Sequence, residues 1–171
     1  YNEMLKRRPD LAEELCRPLY RDRRDEVPAG MEPWYRLAVF HFHKGYFSAS
    51  IEPTYIGSAH RLDDIPEMTN RQKEAMGMSQ ALSEELRFDT GFMRGDMQFC
   101  NNHVIFHTRR AFEDFDEPSR KRHLLRLWLK ALDGRPLPAA FYERHGTVES
   151  IDRPGGIVGI DTVLNAPIGR V

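Results

Sequence analysis

Apolar residues recur at helical spacing near the start of this sequence. A leucine stands at every fourth position from 11 to 19, and Pro9 suits the first position of a helix. Residues 1–19 are therefore predicted to be helical in two parts. Cys16 falls on the widened apolar stripe, which predicts that it packs in a core.

A longer helix is predicted from about residue 70 to residue 86. Thr69 and Gln72 form a capping-box pattern at its start, in which each residue satisfies a backbone N–H of the other. The apolar positions predict a buried stripe made of Ala75, Met78, Leu82 and Leu86.

Alternating apolar and polar positions predict strands in the first half of the chain. Residues 34–43 alternate and are predicted to form one strand. Lys44-Gly45 predicts a hairpin turn into the strand that follows. Residues 21–33 are polar and contain proline and glycine, so they predict a loop, and residues 52–66 are mixed in character.

Short extended segments separated by turns are predicted over residues 88–107. A turn is expected at residues 94–96, and the Asn101-Asn102 pair predicts a second one because Asn tolerates left-handed backbone. The last extended segment ends at His107.

A charged loop over residues 109–119 follows, and Phe112 and Phe115 are its expected anchors. Residues 122–129 then predict another strand. Beyond it the chain is rich in proline and glycine, with one more short strand predicted near residues 157–163.

Arg122 and Arg126 share one face of the predicted strand. Arginines on a buried or half-buried face are costly unless they meet anions. Positions four apart along a strand are separated by about 13 Å. The pair therefore indicates two separate anionic groups, or one anion and one internal partner.

Composition is that of an ordinary globular domain. The 171 residues are 40% hydrophobic and 30% charged, with a net charge of −1, which fits one domain over residues 1–171. Nucleic-acid binding is not expected, since phosphate contacts need a basic excess. A cytoplasmic, non-membrane protein is expected, because no apolar run is long enough to span a bilayer and two distant cysteines suggest no disulfide framework.

Three local features carry simpler interpretations. The clusters KRR at residues 6–8 and RDRR at residues 21–24 are interrupted by acids and are interpreted as solvated charges. His41 and His43 share a strand face, but no third ligand is obvious nearby, so a structural role is favoured over a metal site.

The run GDMQFCNNHVIFHTRRAFEDF, followed by RKRHLLRLWL, resembles the C-terminal signature of the TauD/TfdA family of iron(II)- and 2-oxoglutarate-dependent dioxygenases. The segments YNEML, PWY and YERHG resemble the same family. The resemblance implies an α+β, mainly β fold: a double-stranded β-helix (jelly roll) with flanking helices, incomplete at its N-terminus.

The resemblance also implies roles for three residues. In that family a His-x-Asp/Glu pair and a distal histidine hold the iron, and His107 matches the distal histidine. Arg122 follows His107 by 15 positions and is implied to bind the distal carboxylate of 2-oxoglutarate. Arg126 is implied to contact the substrate or the other carboxylate of the co-substrate. No residue is assigned as catalytic.

The implied reaction is hydroxylation, or a related C–H oxidation, of a small acidic organic substrate with molecular oxygen, iron(II) and 2-oxoglutarate. None of the seven histidines, however, is followed two positions later by Asp or Glu. Because the sequence starts at Tyr1 rather than Met, it is interpreted as the C-terminal portion of such an enzyme.

Two alternatives stay open. One is a metal-free relic of the β-helix that acts as a binding or interaction module, and the other is an unrelated β-rich anion-binding domain. The substrate is not specified by the sequence, and a homo-oligomer is compatible with it.

Overall fold

The computed structural model describes residues 1–24, 26–127, 129 and 134–143. The strand predicted near residues 157–163 lies outside them. In the described part, the elements in chain order are α1 (Asn2–Arg7), α2 (Pro9–Glu14), β1 (Leu19–Asp22), β2 (Trp34–Leu37), β3 (Phe40–His43), β4 (Tyr46–Ala49), α3 (Pro53–Ala59), α4 (Asn70–Glu85), a 3₁₀ turn (Pro118–Arg120) and α5 (Ala140–Glu143).

The first two helices form as the leucine spacing predicts. Pro9 lies in the first turn of α2, where its missing N–H would have had no helical partner. Leu11 and Leu15 are buried. Leu19 is also buried, but it begins β1 rather than continuing the helix.

Cys16 is exposed, so the prediction that it packs in the core is wrong. Helix α2 ends at Glu14, and the chain turns away from the core immediately afterwards. The thiol donates to the carbonyl of Ala12 at 3.4 Å. Partial burial of this thiol, together with the Glu13 carboxylate, raises the pKa of Cys16 and makes it a poor nucleophile at neutral pH.

Strands β1 and β2 form an antiparallel pair in which Leu19 lies opposite Leu37 and Asp22 lies opposite Trp34. The loop predicted over residues 21–33 is therefore wrong at its first two positions, which belong to β1. Charged side chains hid this strand, because a strand is normally recognised by its apolar residues.

The single strand predicted over residues 34–43 is divided between β2 and β3. The N–H groups of Val39 and Phe40 both donate to the carbonyl of Leu15, at 2.9 and 3.0 Å. The backbone at this point is therefore held by the end of α2, and the two halves pair with different strands.

The predicted hairpin turn is confirmed. Strands β3 and β4 pair directly, with His41 opposite Ser48. Lys44 and Gly45 both have positive φ, 48° and 80°, which is the geometry of a type I′ turn and matches the twist of the flanking strands.

The capping box of the long helix is also confirmed. The Thr69 hydroxyl accepts from the N–H of Gln72 at 3.2 Å, and the Gln72 side chain accepts from the N–H of Thr69 at 2.9 Å. Ala75 and Leu82 are buried as predicted. Leu86 is 58% exposed because it lies beyond the last turn of α4, so its predicted burial is wrong.

Helix α3 was not predicted. Its sequence PTYIGSA is too short to show a helical apolar repeat, and only Ile56 and Ala59 are buried in it. It packs against β1. Its first residue is Pro53, a favourable start for a helix.

The described core consists of two apolar clusters. The larger one joins helices α1 to α4, the start of β1 and the β3–β4 hairpin through Met4, Leu11, Ala12, Leu15, Leu19, Val39, Phe40, Ala49, Ile56, Ala75 and Leu82. The smaller one joins β2 to α5 through Tyr35, Leu37, Leu137, Phe141 and Tyr142.

The segment from residue 88 to residue 127 lies on the surface and contains no strand. The turn predicted at residues 94–96 is present, because Asp96 N–H donates to Met93 O and Met93 N–H donates to the Asp96 carboxylate. The extended segments around it do not pair. Many of their apolar side chains are exposed, among them Phe88, Met93, Met97, Phe99, Leu125 and Leu127.

The described chain is thus a mixed α and β structure with two separate two-stranded sheets. Its helices contain more residues than its strands, so the described residues do not have the mainly β composition that the resemblance implied. These sheets do not amount to a double-stranded β-helix. No helix within the described ranges is both long and apolar enough to cross a membrane.

Candidate functional site

His107 follows the second turn of the surface segment by three positions and is exposed. Its Nε2 lies 2.8 Å from Oδ1 of Asn102. Since an amide oxygen only accepts hydrogen bonds, this contact requires a proton on Nε2. The imidazole is therefore oriented by a side chain five residues earlier.

The Asn-Asn turn is confirmed and has two distinct parts. The Asn101 side chain accepts from the N–H of His103 at 3.1 Å, and its carbonyl accepts from the N–H groups of Val104 and Ile105. This is an Asx-type turn. Asn101 therefore shapes the turn, whereas Asn102 contacts His107.

Two contacts tie the His107 segment to the body of the protein. The carbonyl of His103 accepts from the N–H of Ala49 in β4 at 2.8 Å. Phe106, next to His107, packs against the larger core cluster. The position of His107 relative to the β3–β4 hairpin is set by these contacts.

The charged loop after His107 folds around Phe112. The guanidinium carbon of Arg109 lies 5.2 Å from the centroid of this ring, and that of Arg122 lies 5.0 Å from it. Both distances are within the range of a cation–π interaction. The Phe112 ring thus contacts both Arg122 and Arg109, which follows His107 by two positions.

Asp114 closes the same loop. One of its carboxylate oxygens, Oδ1, accepts from the backbone N–H of Arg122 at 2.9 Å and from that of Phe115 at 3.0 Å. Phe112 and Phe115, the expected anchors of this loop, are 45% and 49% exposed and do not pack in the core. They are covered by arginines instead, with Arg120 at 3.8 Å from the Phe115 ring.

The strand predicted over residues 122–129 is wrong for its described residues. Residues 122–127 and 129 are exposed and outside any ladder. Arg122 and Arg126 are therefore exposed rather than desolvated, and burial does not force either guanidinium to bind an anion.

His41 lies between the two apolar clusters. Its Nε2 lies 2.9 Å from the carbonyl of Ala38, and its ring is 4.6 Å from that of Phe141. Burial lowers the pKa of His41, Arg21 lowers it further, and the hydrogen bond with Ala38 acts in the opposite direction. These contacts are those of a neutral, packed imidazole.

Arg21 is the largest buried charged group in the described chain, with 0% exposure. Its guanidinium donates to the carbonyls of Leu37, Ala38 and Ser50 at 3.3, 2.9 and 2.7 Å. It also lies 3.8 Å from the carboxylate of Glu52. Arg23, 4% exposed, donates to the carbonyl of Glu32 at 3.0 Å.

The interpretation of RDRR as solvated charge is therefore wrong for three of its residues, since Asp22 is also buried. The apolar neighbours Leu19 and Tyr20 were the available signal, because they allow a strand to begin before the charges. Spacing alone did not reveal the carbonyls that Arg21 meets, since those carbonyls come from other elements.

Within the described residues no three His, Cys, Asp or Glu side chains lie together as a metal site. His107 offers one donor, whereas an iron site of the two-histidine-one-carboxylate type needs three. The described residues therefore do not complete an iron site by themselves.

The sequence matches the family model of taurine catabolism dioxygenase TauD, TfdA family, over residues 1–128. The chain belongs to the TauD/TfdA family. The resemblance to this family, which was carried by residues between Gly95 and Leu129, is thereby confirmed. Both arginines and His107 fall within the part that matches the TauD/TfdA model.

Two relatives extend the TauD/TfdA match along the chain. FR-33289 synthase of Streptomyces rubellomurinus is 29% identical over an alignment of 163 positions, and the match covers 90% of this chain and 47% of that protein. The taurine hydroxylase-like protein SAT17 of Stachybotrys chartarum is 31% identical over an alignment of 140 positions, and the match covers 74% of this chain and 33% of that protein. The chain spans less than half the length of these curated relatives.

Proposed function

We propose that this chain forms the C-terminal part of an iron(II)- and 2-oxoglutarate-dependent dioxygenase. The observation that carries the proposal is the TauD/TfdA family match over residues 1–128, which includes His107 and both arginines. The names of the two relatives, a synthase and a hydroxylase-like protein, support an oxidative reaction.

In this proposal His107 supplies one metal ligand. Its ring is already oriented through Nε2 by Asn102, as is typical of metal-binding histidines whose other nitrogen meets a polar partner. The remaining ligands would come from polypeptide that this sequence does not contain. Iron in such a site activates molecular oxygen for C–H oxidation.

Arg122 would bind the distal carboxylate of 2-oxoglutarate. An exposed guanidinium can offer two parallel N–H groups to a carboxylate, and the guanidinium of Arg122 is exposed beside the Phe112 ring. Arg126 would contact a second anionic group, on the substrate or on the co-substrate. If that group belongs to the substrate, the substrate is a small acidic molecule, because the Arg126 guanidinium binds anions.

The jelly roll also belongs to this proposal. The unpaired apolar segments between residues 88 and 127 are suited to become strands once partner strands are supplied, because strand pairing satisfies backbone groups that one segment cannot satisfy alone. Further polypeptide would then complete both the sheet and the metal site.

Substitution of His107 and Arg122 in the full-length protein tests the proposal. His107→Ala should abolish iron binding and all release of succinate. Arg122→Ala should raise the KM for 2-oxoglutarate at least tenfold, since a charge-assisted hydrogen-bonded pair is worth roughly 1.5–3 kcal/mol. An unchanged KM in Arg122→Ala would disprove the assignment, and Arg110→Ala, which removes an exposed ion pair with Asp89, is the control.

A second function is favoured by one specific observation. None of the seven histidines begins a His-x-Asp/Glu pair, which suits a metal-free binding or interaction module. Two measurements together distinguish the dioxygenase from the binding module. One is titration of the 171-residue chain with iron(II) and 2-oxoglutarate, and the other is an assay of turnover by the full-length protein. We expect no stoichiometric iron binding by the isolated chain, and turnover only by the longer protein; a longer protein without turnover would favour the module.

A further inference from the structure

Arg122 is held by its own loop at two points, one on the side chain and one on the backbone. Its guanidinium carbon lies 5.0 Å from the centroid of the Phe112 ring, and its backbone N–H donates to the Asp114 carboxylate at 2.9 Å. The backbone and the head of this side chain are therefore both located by residues 112–114. An exposed arginine without such contacts would sample many rotamers.

The Phe112 ring also relates Arg122 to the His107 segment. Arg109, two positions after His107, places its guanidinium carbon 5.2 Å from the same centroid. The ring therefore joins two parts of the chain that are 13 positions apart in sequence. Neither of these cations contacts the neighbouring Phe115 ring, which is occupied by Arg120.

We propose that Phe112 is a positioning residue for Arg122, holding its guanidinium in place for the carboxylate of 2-oxoglutarate. This inference rests on the proposed function, because it takes Arg122 as the contact of the co-substrate. A carboxylate is gripped by two N–H groups only when the guanidinium plane is fixed. The aromatic face fixes that plane without neutralising the charge.

Phe112→Leu in the full-length protein is the direct test. It keeps an apolar side chain but removes the ring face, and we expect the Kd for 2-oxoglutarate, measured by calorimetry, to rise roughly two- to fivefold. Phe112→Tyr keeps the ring and should restore the wild-type Kd. Phe115→Leu is the matched control, since its ring faces Arg120, and it should leave the Kd unchanged.

A second measurement reports on Arg122 without ligand or turnover. The proton on Nε of Arg122 should show a ring-current shift in its NMR resonance because it lies beside Phe112. The shift should vanish in Phe112→Leu and persist in Phe112→Tyr and Phe115→Leu. A general loss of structure would instead move resonances throughout the protein.

The two hypotheses fail in different ways. If Arg122→Ala raises the Kd for 2-oxoglutarate but Phe112→Leu behaves like Phe115→Leu, the positioning role is overturned and the proposed function stands. If Arg122→Ala itself leaves the Kd unchanged, the assignment of Arg122 is overturned and the positioning role with it.

Discussion

The guanidinium of Arg61 donates two hydrogen bonds to the carboxylate of Asp22, from Nε at 2.8 Å and from Nη2 at 3.2 Å. Asp22 is 1% exposed, whereas the Arg61 side chain is 53% exposed. The backbone N–H of Arg24 donates to the same carboxylate at 2.8 Å. This pair joins β1 to the residues that follow α3.

We expect Arg61→Gln to lower the free energy of unfolding by about 1–3 kcal/mol, because a buried carboxylate loses its charged partner but keeps the Arg24 N–H. Urea unfolding followed by circular dichroism measures this. The control is Lys73→Gln, whose ion pair with Glu67 is exposed at both ends and should cost at most about 1 kcal/mol. Equal costs in the two variants would contradict a special role for the Asp22 pair.

The same pair predicts a dependence on pH. Burial acts to raise the pKa of Asp22, but hydrogen bonds from Arg61 and from the N–H of Arg24 outweigh it, so the pKa lies below its ordinary value. A lowered pKa stabilises the folded state above the ordinary value near 4, and this contribution disappears as the pH falls through the folded-state pKa. The difference in stability between wild type and Arg61→Gln should therefore shrink below about pH 4.

Arg21 gives the largest expected effect on stability. Arg21→Met removes a guanidinium that is 0% exposed, together with its hydrogen bonds to the carbonyls of Leu37, Ala38 and Ser50. We expect a loss of about 3–5 kcal/mol in the free energy of unfolding. Arg36→Met, on the exposed side of the adjacent strand β2, should change it by no more than about 1 kcal/mol, and a comparable loss there would refute the argument from burial.

His41 predicts a second pH effect, in a different range. Because burial lowers its pKa, the unfolded chain takes up a proton near pH 6.5 while the folded protein does not. The unfolded state thus binds more protons, and stability should fall as the pH decreases from about 6.5 towards the folded-state pKa. Urea unfolding between pH 7 and pH 5 should show this slope, and His41→Gln should reduce it; a slope that is the same in both proteins would assign it to another group.

The exposed apolar segment provides a test of the proposed jelly roll. Leu125 is 89% exposed in the described structure, so Leu125→Gln should change the stability of the 171-residue chain by less than about 0.5 kcal/mol. In the full-length protein the same substitution should cost about 2 kcal/mol or more, because further strands would bury that leucine. No difference between the two lengths would argue against the jelly roll.

Local signals in the sequence determined the elements that depend on near neighbours. The capping box at Thr69 predicted the start of α4 to the residue, because both partners lie within one helical turn. Lys44-Gly45 predicted the hairpin, since left-handed backbone is demanded by the turn itself. The family was likewise recognisable from one run of residues, and the match over residues 1–128 confirmed it.

Tertiary structure alone decided where the charges lie. Arg21 and Asp22 belong to a sequence typical of solvated loops, yet both are buried, because carbonyls and a guanidinium from distant segments compensate them. Conversely, the leucine-rich residues 122–129 predicted a strand, but residues 122–127 and 129 are exposed and unpaired with any strand. A strand requires a partner strand to satisfy its backbone N–H and C=O groups. Hydrophobic alternation indicates only that a segment is suited to pair, not that a partner is present.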